Sequence, residues 1–281
     1  MELIRGTARI GYLAVSIATV IVVLFTAHVP RRADLLRYLT QENGVVEWGS
    51  VVVLVLIGLA SMRALFLDRR EPSLSATARS LLAALILVAS LAALEEISWG
   101  QQVLGFRSSK FFLDHNLQRE TNLHNLLPAS ISSSIINGAI YIFFLWIPCA
   151  LRIAPTSRLA REVHSCGWDI FLPSFDTIII FAFGSTLQAY FLLPTWSDSL
   201  ALLVTLAFLG WMLSVQSTTR WQDWSKLAWV VLCAAVFAAH YDIFRFANMQ
   251  YEIRELIVVL GCLHWITDWA PPPISPSTLK A

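Results

Sequence analysis

Apolar residues fall along the chain in long runs: Ile10–His28, Val45–Phe66, Ser80–Ser98, Ile131–Ile153, Trp168–Leu193, Ser197–Val215, Trp224–Tyr241 and Glu252–Trp269. Each is close to the ~20 residues that carry a helix across ~30 Å of hydrocarbon. A single-chain span must satisfy its own backbone polar groups, so all of them are predicted to be helices. The predicted fold class is all-α, a polytopic transmembrane helical bundle of about eight spans. Connections are short except over 99–130. There Phe106, Phe111 and Phe112 stand among Arg107 and Lys110. That mixture predicts an interfacial or re-entrant segment over Gly105–Leu113, after the third span.

Basic residues precede the first run. The run exceeds the roughly 7–15 residues of a signal-peptide core and has no convincing small-x-small cleavage site after it, so it is expected to remain as the first span. Residues 1–270 are expected to form a single transmembrane helical domain, since no polar stretch is long enough to stand alone. Pro271-Pro272-Pro273-Ile274-Ser275-Pro276 cannot continue a helix, and 271–281 are expected to be a disordered proline-rich tail. No internal repeat is found, which weakens an inverted-repeat transporter reading.

Composition strengthens the membrane assignment: 57% of the 281 residues are hydrophobic and 14% are charged, against about 25% charged in soluble domains. Many of the 11 tryptophans stand near predicted span ends, among them Trp48, Trp99, Trp168, Trp196, Trp221 and Trp269, as in interfacial aromatic belts. A net charge of +1 points to neither nucleic acid nor a polybasic lipid clamp. Cys149, Cys166, Cys233 and Cys262 show no C-x-x-C spacing and read as small apolar residues rather than disulfide or zinc ligands.

Lysine and arginine in the short loops favour a plasma (inner) membrane protein with both termini cytoplasmic. That topology has a consequence. Glu47 opens the second span, Glu95 and Glu96 close the third, and His115, Glu120 and His124 lie in the loop that follows. His240 ends the seventh span, and Glu252 and Glu255 open the eighth. All are then expected on the extracytoplasmic face. Ionisable groups beside hydrocarbon are costly and mark functional sites.

Glu120 and His124 are four apart and would share one face of a helix, a spacing from which both can reach one metal. It is weaker than H-E-x-x-H, and a capped interfacial helix with a local Glu–His contact is the plain alternative. Glu95 and Glu96 project about 100° apart, so one can act while the other braces. They read otherwise as an acid pair reaching for water. His240 at a span end also fits a hydrogen-bonded structural role, and Glu252 with Glu255 fits acids at a helix N-terminus. Arg107, Lys110, Arg119, Arg245 and Arg254 ring the same mouth, either neutralising carboxylates or holding an oxyanion. His164 and His264 are expected outside the site. Neither a G-x-S-x-G elbow nor a P-loop nor a dinucleotide fingerprint occurs.

Glu95-Glu96-Ile97-Ser98-Trp99-Gly100-Gln101, His115-Asn116 and Glu120-Thr121-Asn122-Leu123-His124-Asn125 resemble a signature of uncharacterised bacterial multi-span membrane proteins. Glu42-Asn43-Gly44-Val45-Val46-Glu47-Trp48 resembles the opening of their second span. The resemblance implies a membrane protein and no particular activity. The alkaline-ceramidase-like hydrolases place zinc among their spans, but their late His-x-x-x-His pair is missing here, so their chemistry is not carried over.

The leading expectation is a membrane-embedded metal-dependent enzyme, a hydrolase or transferase acting on a lipid or lipid-linked substrate at the outer leaflet. Glu96, Glu120, His124, His240 and Glu252 would hold a divalent metal. Mixed His and carboxylate ligands suit Zn, Fe or Mn. Glu95 and Glu255 would serve as acid–base groups. Glu47, His115, Arg107, Arg119 and Arg245 would line the substrate mouth. Two alternatives stay open: a proton- or cation-coupled transporter, for which Asp176 in the fifth run is the one strong step toward the inside, and a non-catalytic subunit that docks a partner.

Overall fold

A computed structural model describes residues 2–28, 44–66, 76–116, 119–126, 129–166, 168, 171–187, 196–216, 219–240 and 249–268. The expected tail 271–281 and Arg245 lie outside them.

The described elements are helical. The long ones are α1 (Glu2–His28), α2 (Val45–Phe66) and α3 (Ala76–Glu96). Short α4 (Gln101–Leu104) and α5 (Lys110–His115) follow. α6 (Ala129–Ala139) runs through a π-helical stretch, Ile140–Trp146, into α7 (Ile147–Ile153). Then come α8 (Arg158–Ser165), α9 (Phe175–Thr186), α10 (Trp196–Val215), α11 (Trp221–Ala239) and α12 (Met249–Asp268). Among the described residues, four segments are long and apolar enough to cross a membrane: Ala8–Phe25, Val45–Phe66, Ala76–Glu96 and Ser134–Ile153.

The apolar run Trp168–Leu193 differs from expectation, because its helix spans only Phe175–Thr186 within the described residues. Pro173 disfavours helix before it. Ser174 then takes the N-cap, its hydroxyl accepting from Thr177 N at 3.3 Å. From Thr177 to Thr186 every residue of α9 is buried. A helix apolar on all sides belongs at the centre of a bundle, and α9 packs against α10, α11, α12 and the π-helical stretch.

α12 is the second hub, lying against α1, α2 and α9. Glycines let these helices close in. A β-carbon at Gly11 would stand 3.3 Å from Leu260, one at Gly184 3.2 Å from Ile257, and one at Gly261 3.0 Å from the Phe181 ring. These contacts explain why α12 carries Glu252, Arg254, Glu255, His264 and Asp268 and still packs centrally. Its polar groups sit toward its two ends, and Ile253, Ile257, Leu260, Leu263 and Ile266 form its buried side.

The ends of the bundle are chemically distinct. At one end Arg9, Asp176 and Lys226 join the N-terminal parts of α1, α9 and α11 to His264 near the end of α12. At the other, α2 begins, α3 ends and α12 begins, bringing Glu47, Glu96, Glu252 and Glu255 together. From Glu252 to His264 the helix rises about 18 Å at 1.5 Å per residue.

Candidate functional site

α3 ends at Glu96, and the chain then makes a left-handed turn. Ser98, Trp99 and Gly100 have φ values of 47°, 55° and 87°. Left-handed backbone costs a non-glycine residue roughly 1–2 kcal/mol, so side chains must hold this turn in place. The Ser98 hydroxyl, wholly buried, donates to Glu120 Oε2. Asn122 Nδ2 donates to Ser98 Oγ at 3.3 Å and to Glu120 Oε2 at 3.5 Å. Trp99 Nε1 donates to Glu95 Oε1, while Leu123 N donates to Glu95 Oε2 at 2.6 Å. Gly100 is the position where a β-carbon adds strain. Gly100→Ala is expected to cost about 1 kcal/mol of stability, read as a lowered thermal midpoint in detergent.

The far side of the loop is fixed as firmly. Gln101 Oε1 accepts from Ser108 Oγ at 3.0 Å and from Thr121 N at 2.8 Å. Buried Asn116 donates to Asn122 O and Oδ1 at 2.8 and 2.7 Å and accepts from Glu120 N at 3.3 Å. Gln102 Nε2 links Glu47 Oε1 at 3.1 Å to Glu120 Oε2 at 3.5 Å, tying α2 to the loop. Outside this polar knot, Trp99, Val103, Leu104, Phe106, Phe111 and Leu113 expose apolar side chains.

Glu96 projects away from Glu95, as adjacent helical residues must. It is half-buried. Among the described residues, the charges that act on it are carboxylates alone: Glu255 most strongly, then Glu47, Glu252 and Glu95. Residues from three helices, more than 200 positions apart in sequence, therefore meet at one end of the bundle. His240 closes α11, its backbone N–H reaching Val236 and Phe237 carbonyls at 3.2 and 3.1 Å.

Nothing matches this chain among protein-family models, curated proteins or solved structures.

One sequence expectation changes. Glu120 and His124 do not share a helical face: Arg119 is left-handed at φ 60°, residues 119–123 are irregular, and a 3₁₀ turn begins only at His124. The cause is the competition of Asn116, Ser98 and Asn122 for the backbone and carboxylate of Glu120, which favours a loop over a helix. The side chain of His124 is outside the described residues. His115 is exposed, stacked on Phe111 at 4.8 Å, with Nδ1 2.9 Å from Phe111 O. Arg107 and Arg119 are exposed as well. Arg254 is buried and donates to Asn137 of α6.

Among the described residues no three His, Cys, Asp or Glu side chains gather so as to hold a metal ion. Glu120 Oε2, expected as a ligand, is already the acceptor for Ser98, Asn122 and Gln102. The Zn, Fe or Mn centre expected from the sequence also calls on the side chain of His124, which lies outside the described residues.

Sequence pattern singles out the acids and misses the amides that fix them. Gln101, Gln102, Ser108 and Thr121 carry no pattern of their own. Their one signal is a polar loop hard against an apolar helix end, where buried donors and acceptors must find each other.

Proposed function

We propose that this chain is a membrane-embedded enzyme, a hydrolase or transferase, acting on a lipid or lipid-linked substrate where α3 ends. The observation that carries the reading is a braced, left-handed polar turn followed by the short helices α4 and α5, which expose apolar side chains. Strained backbone held by many bonds is characteristic of functional sites, and exposed Leu104, Phe106 and Phe111 suit contact with acyl chains. In this reading the bundle has about eight spans, with 99–113 in the interface on the extracytoplasmic side.

Roles follow from which atoms are already engaged. Both oxygens of Glu95 hold the loop, so Glu95 positions rather than reacts. Ser98 is fully buried and braces Glu120 rather than attacking substrate. Of the carboxylates whose charge bears on Glu96, exposed Glu255 bears most strongly, and the two would serve as a pair that takes a proton from an attacking hydroxyl and returns it to the leaving oxygen. No step is drawn through a metal.

The test is to incubate the purified protein with a mixed lipid extract and follow products by mass spectrometry. A product that accumulates with the wild type should fall about 10²-fold or more with Glu96→Gln. A complete lack of lipid turnover would overturn the enzyme reading, and loss of product on chelation would return a metal to the site.

One observation favours a second reading. Carboxylates gathered around Glu96 attract a cation, a proton included, which suits a proton- or cation-coupled carrier. Ion flux in proteoliposomes that Glu96→Gln abolishes, with no lipid product, would support it.

A further inference from the structure

The loop beyond α3 holds cations that its acid network does not use. Among the described residues, Arg107, Lys110 and Arg119 are exposed and make no ion pair and no side-chain hydrogen bond. The acids of the loop are held by neutral donors instead: Glu120 by Ser98, Asn122 and Gln102, and Glu95 by Trp99 and the Leu123 N–H. Two roles were open to these cations, neutralising carboxylates or holding an oxyanion, and they do not fill the first. Asp114, one turn on from Lys110, is exposed and makes no ion pair with it.

Between its charges the same segment is apolar. Leu104 is 76% and Phe111 55% exposed, and Val103, Phe106 and Leu113 are exposed with them. Among the described elements none packs extensively on α5. Apolar side chains left open in this way mark a docking face. Its depth is set from two sides. The segment begins shortly after α3 ends, and Gln102 is tied at 3.1 Å to Glu47 in the first turn of α2. Both helices are long and apolar enough to cross a membrane. Ser108 anchors the segment inward, buried against Gln101 and Thr121 at 3.0 and 3.1 Å, while its neighbour Arg107 is exposed. Open apolar side chains where two spans end, with unpaired cations among them, match one occupant in both polarity and charge: a bilayer surface of anionic phospholipid.

We propose that residues 103–115 bind anionic phospholipid of the surrounding bilayer, with Leu104, Phe106 and Phe111 among the upper acyl segments and Arg107 and Lys110 on the phosphates. Anionic phospholipid is then the lipid class held beside the carboxylates. The inference rests on the interfacial placement in the proposed function and needs no turnover.

The test uses the full chain in a Cys166→Ser background, with Leu104→Cys carrying an environment-sensitive fluorophore, in nanodiscs of phosphatidylcholine. A minor share of doxyl-labelled lipid is added, either phosphatidylglycerol or phosphatidylcholine. Phosphatidylglycerol is expected to associate with the labelled loop about tenfold more strongly, each cation near an anionic surface adding severalfold, and added salt should erase most of the difference. Arg107→Gln combined with Lys110→Gln should bring the two lipids level, Lys110→Arg should keep the preference, and Asp114→Asn should raise it. The opposite sign of the last variant separates headgroup attraction from a disturbed loop. Equal quenching by the two lipids in the wild type would overturn the proposal, as would a preference that survives loss of both cations. Quenching by neither lipid would overturn the bilayer contact itself and leave the loop to a protein partner. Failure here is distinct from failure of the enzyme reading: the label reports lipid class without any product, and product can form from neutral lipid with no preference at the loop.

Discussion

Glu120→Ala is expected to destabilise the protein by about 3 kcal/mol, the loss of two buried donors' shared acceptor at roughly 1–3 kcal/mol each. The donors are Ser98, wholly buried, and Asn122, 2% exposed. Without the carboxylate Ser98 loses its acceptor, and Asn122 keeps only Ser98 Oγ at 3.3 Å. Gln102 keeps Glu47, so it adds little. The cost extends beyond the bonds themselves, since Ser98 and Trp99 are held left-handed by this network. Glu120→Gln keeps one acceptor oxygen and should cost about half as much. Unfolding free energies from denaturant titration in mixed micelles would measure both. Equal stability of Glu120→Ala and wild type would show that the turn does not depend on Glu120.

Gly261→Val is expected to cost about 2–3 kcal/mol through overpacking. A β-carbon there would lie 3.0, 3.0 and 3.2 Å from three carbons of the Phe181 ring, inside van der Waals contact, and valine adds two methyl groups beyond it. The ring has nowhere to go: Phe181 is 1% exposed and stacks on Phe144 with centroids 4.2 Å apart. The α9–α12 crossing must therefore open, and both hubs of the bundle move with it. Gly138 supplies the control, because a β-carbon added there would meet nothing within 4 Å. Gly138→Ala should be neutral or stabilising, by up to about 1 kcal/mol of helix propensity. The same titration compares the two variants.

Residue pattern carried much of the helical architecture. Val45–Phe66 is helical over the bounds of its apolar run, because Glu47 and Arg63 sit at the ends where charge suits the helix dipole. Asp268 and Lys226 show where pattern stops. They lie in or beside apolar runs, yet they belong to a polar cluster assembled from α1, α9, α11 and α12. His264 likewise reads as a mid-span residue and is a fixed member of that cluster. Partners that far apart in sequence leave no local spacing to read.

The sequence put Glu47, Glu96 and Glu252 at helix ends, and the charges of Glu47 and Glu252 bear on Glu96. The irregular loop was not legible. A four-residue spacing between Glu120 and His124 fits a helix on paper, but it says nothing of Asn116 and Ser98 pulling Glu120 inward.

The most direct test of the central arrangement is chemical cross-linking of paired cysteines at the carboxylate end. In a Cys166→Ser background, Glu96→Cys is paired in turn with Glu255→Cys, Glu47→Cys and, as a control, Asp223→Cys of α11, and treated with a short bismaleimide. The first two pairs should link within one chain and protect a protease-nicked protein from separating on a denaturing gel, while the pair with position 223 should not. Linking of 96 to 223 without linking to 47 or 255 would place Glu96 at the other end of the bundle and contradict the account.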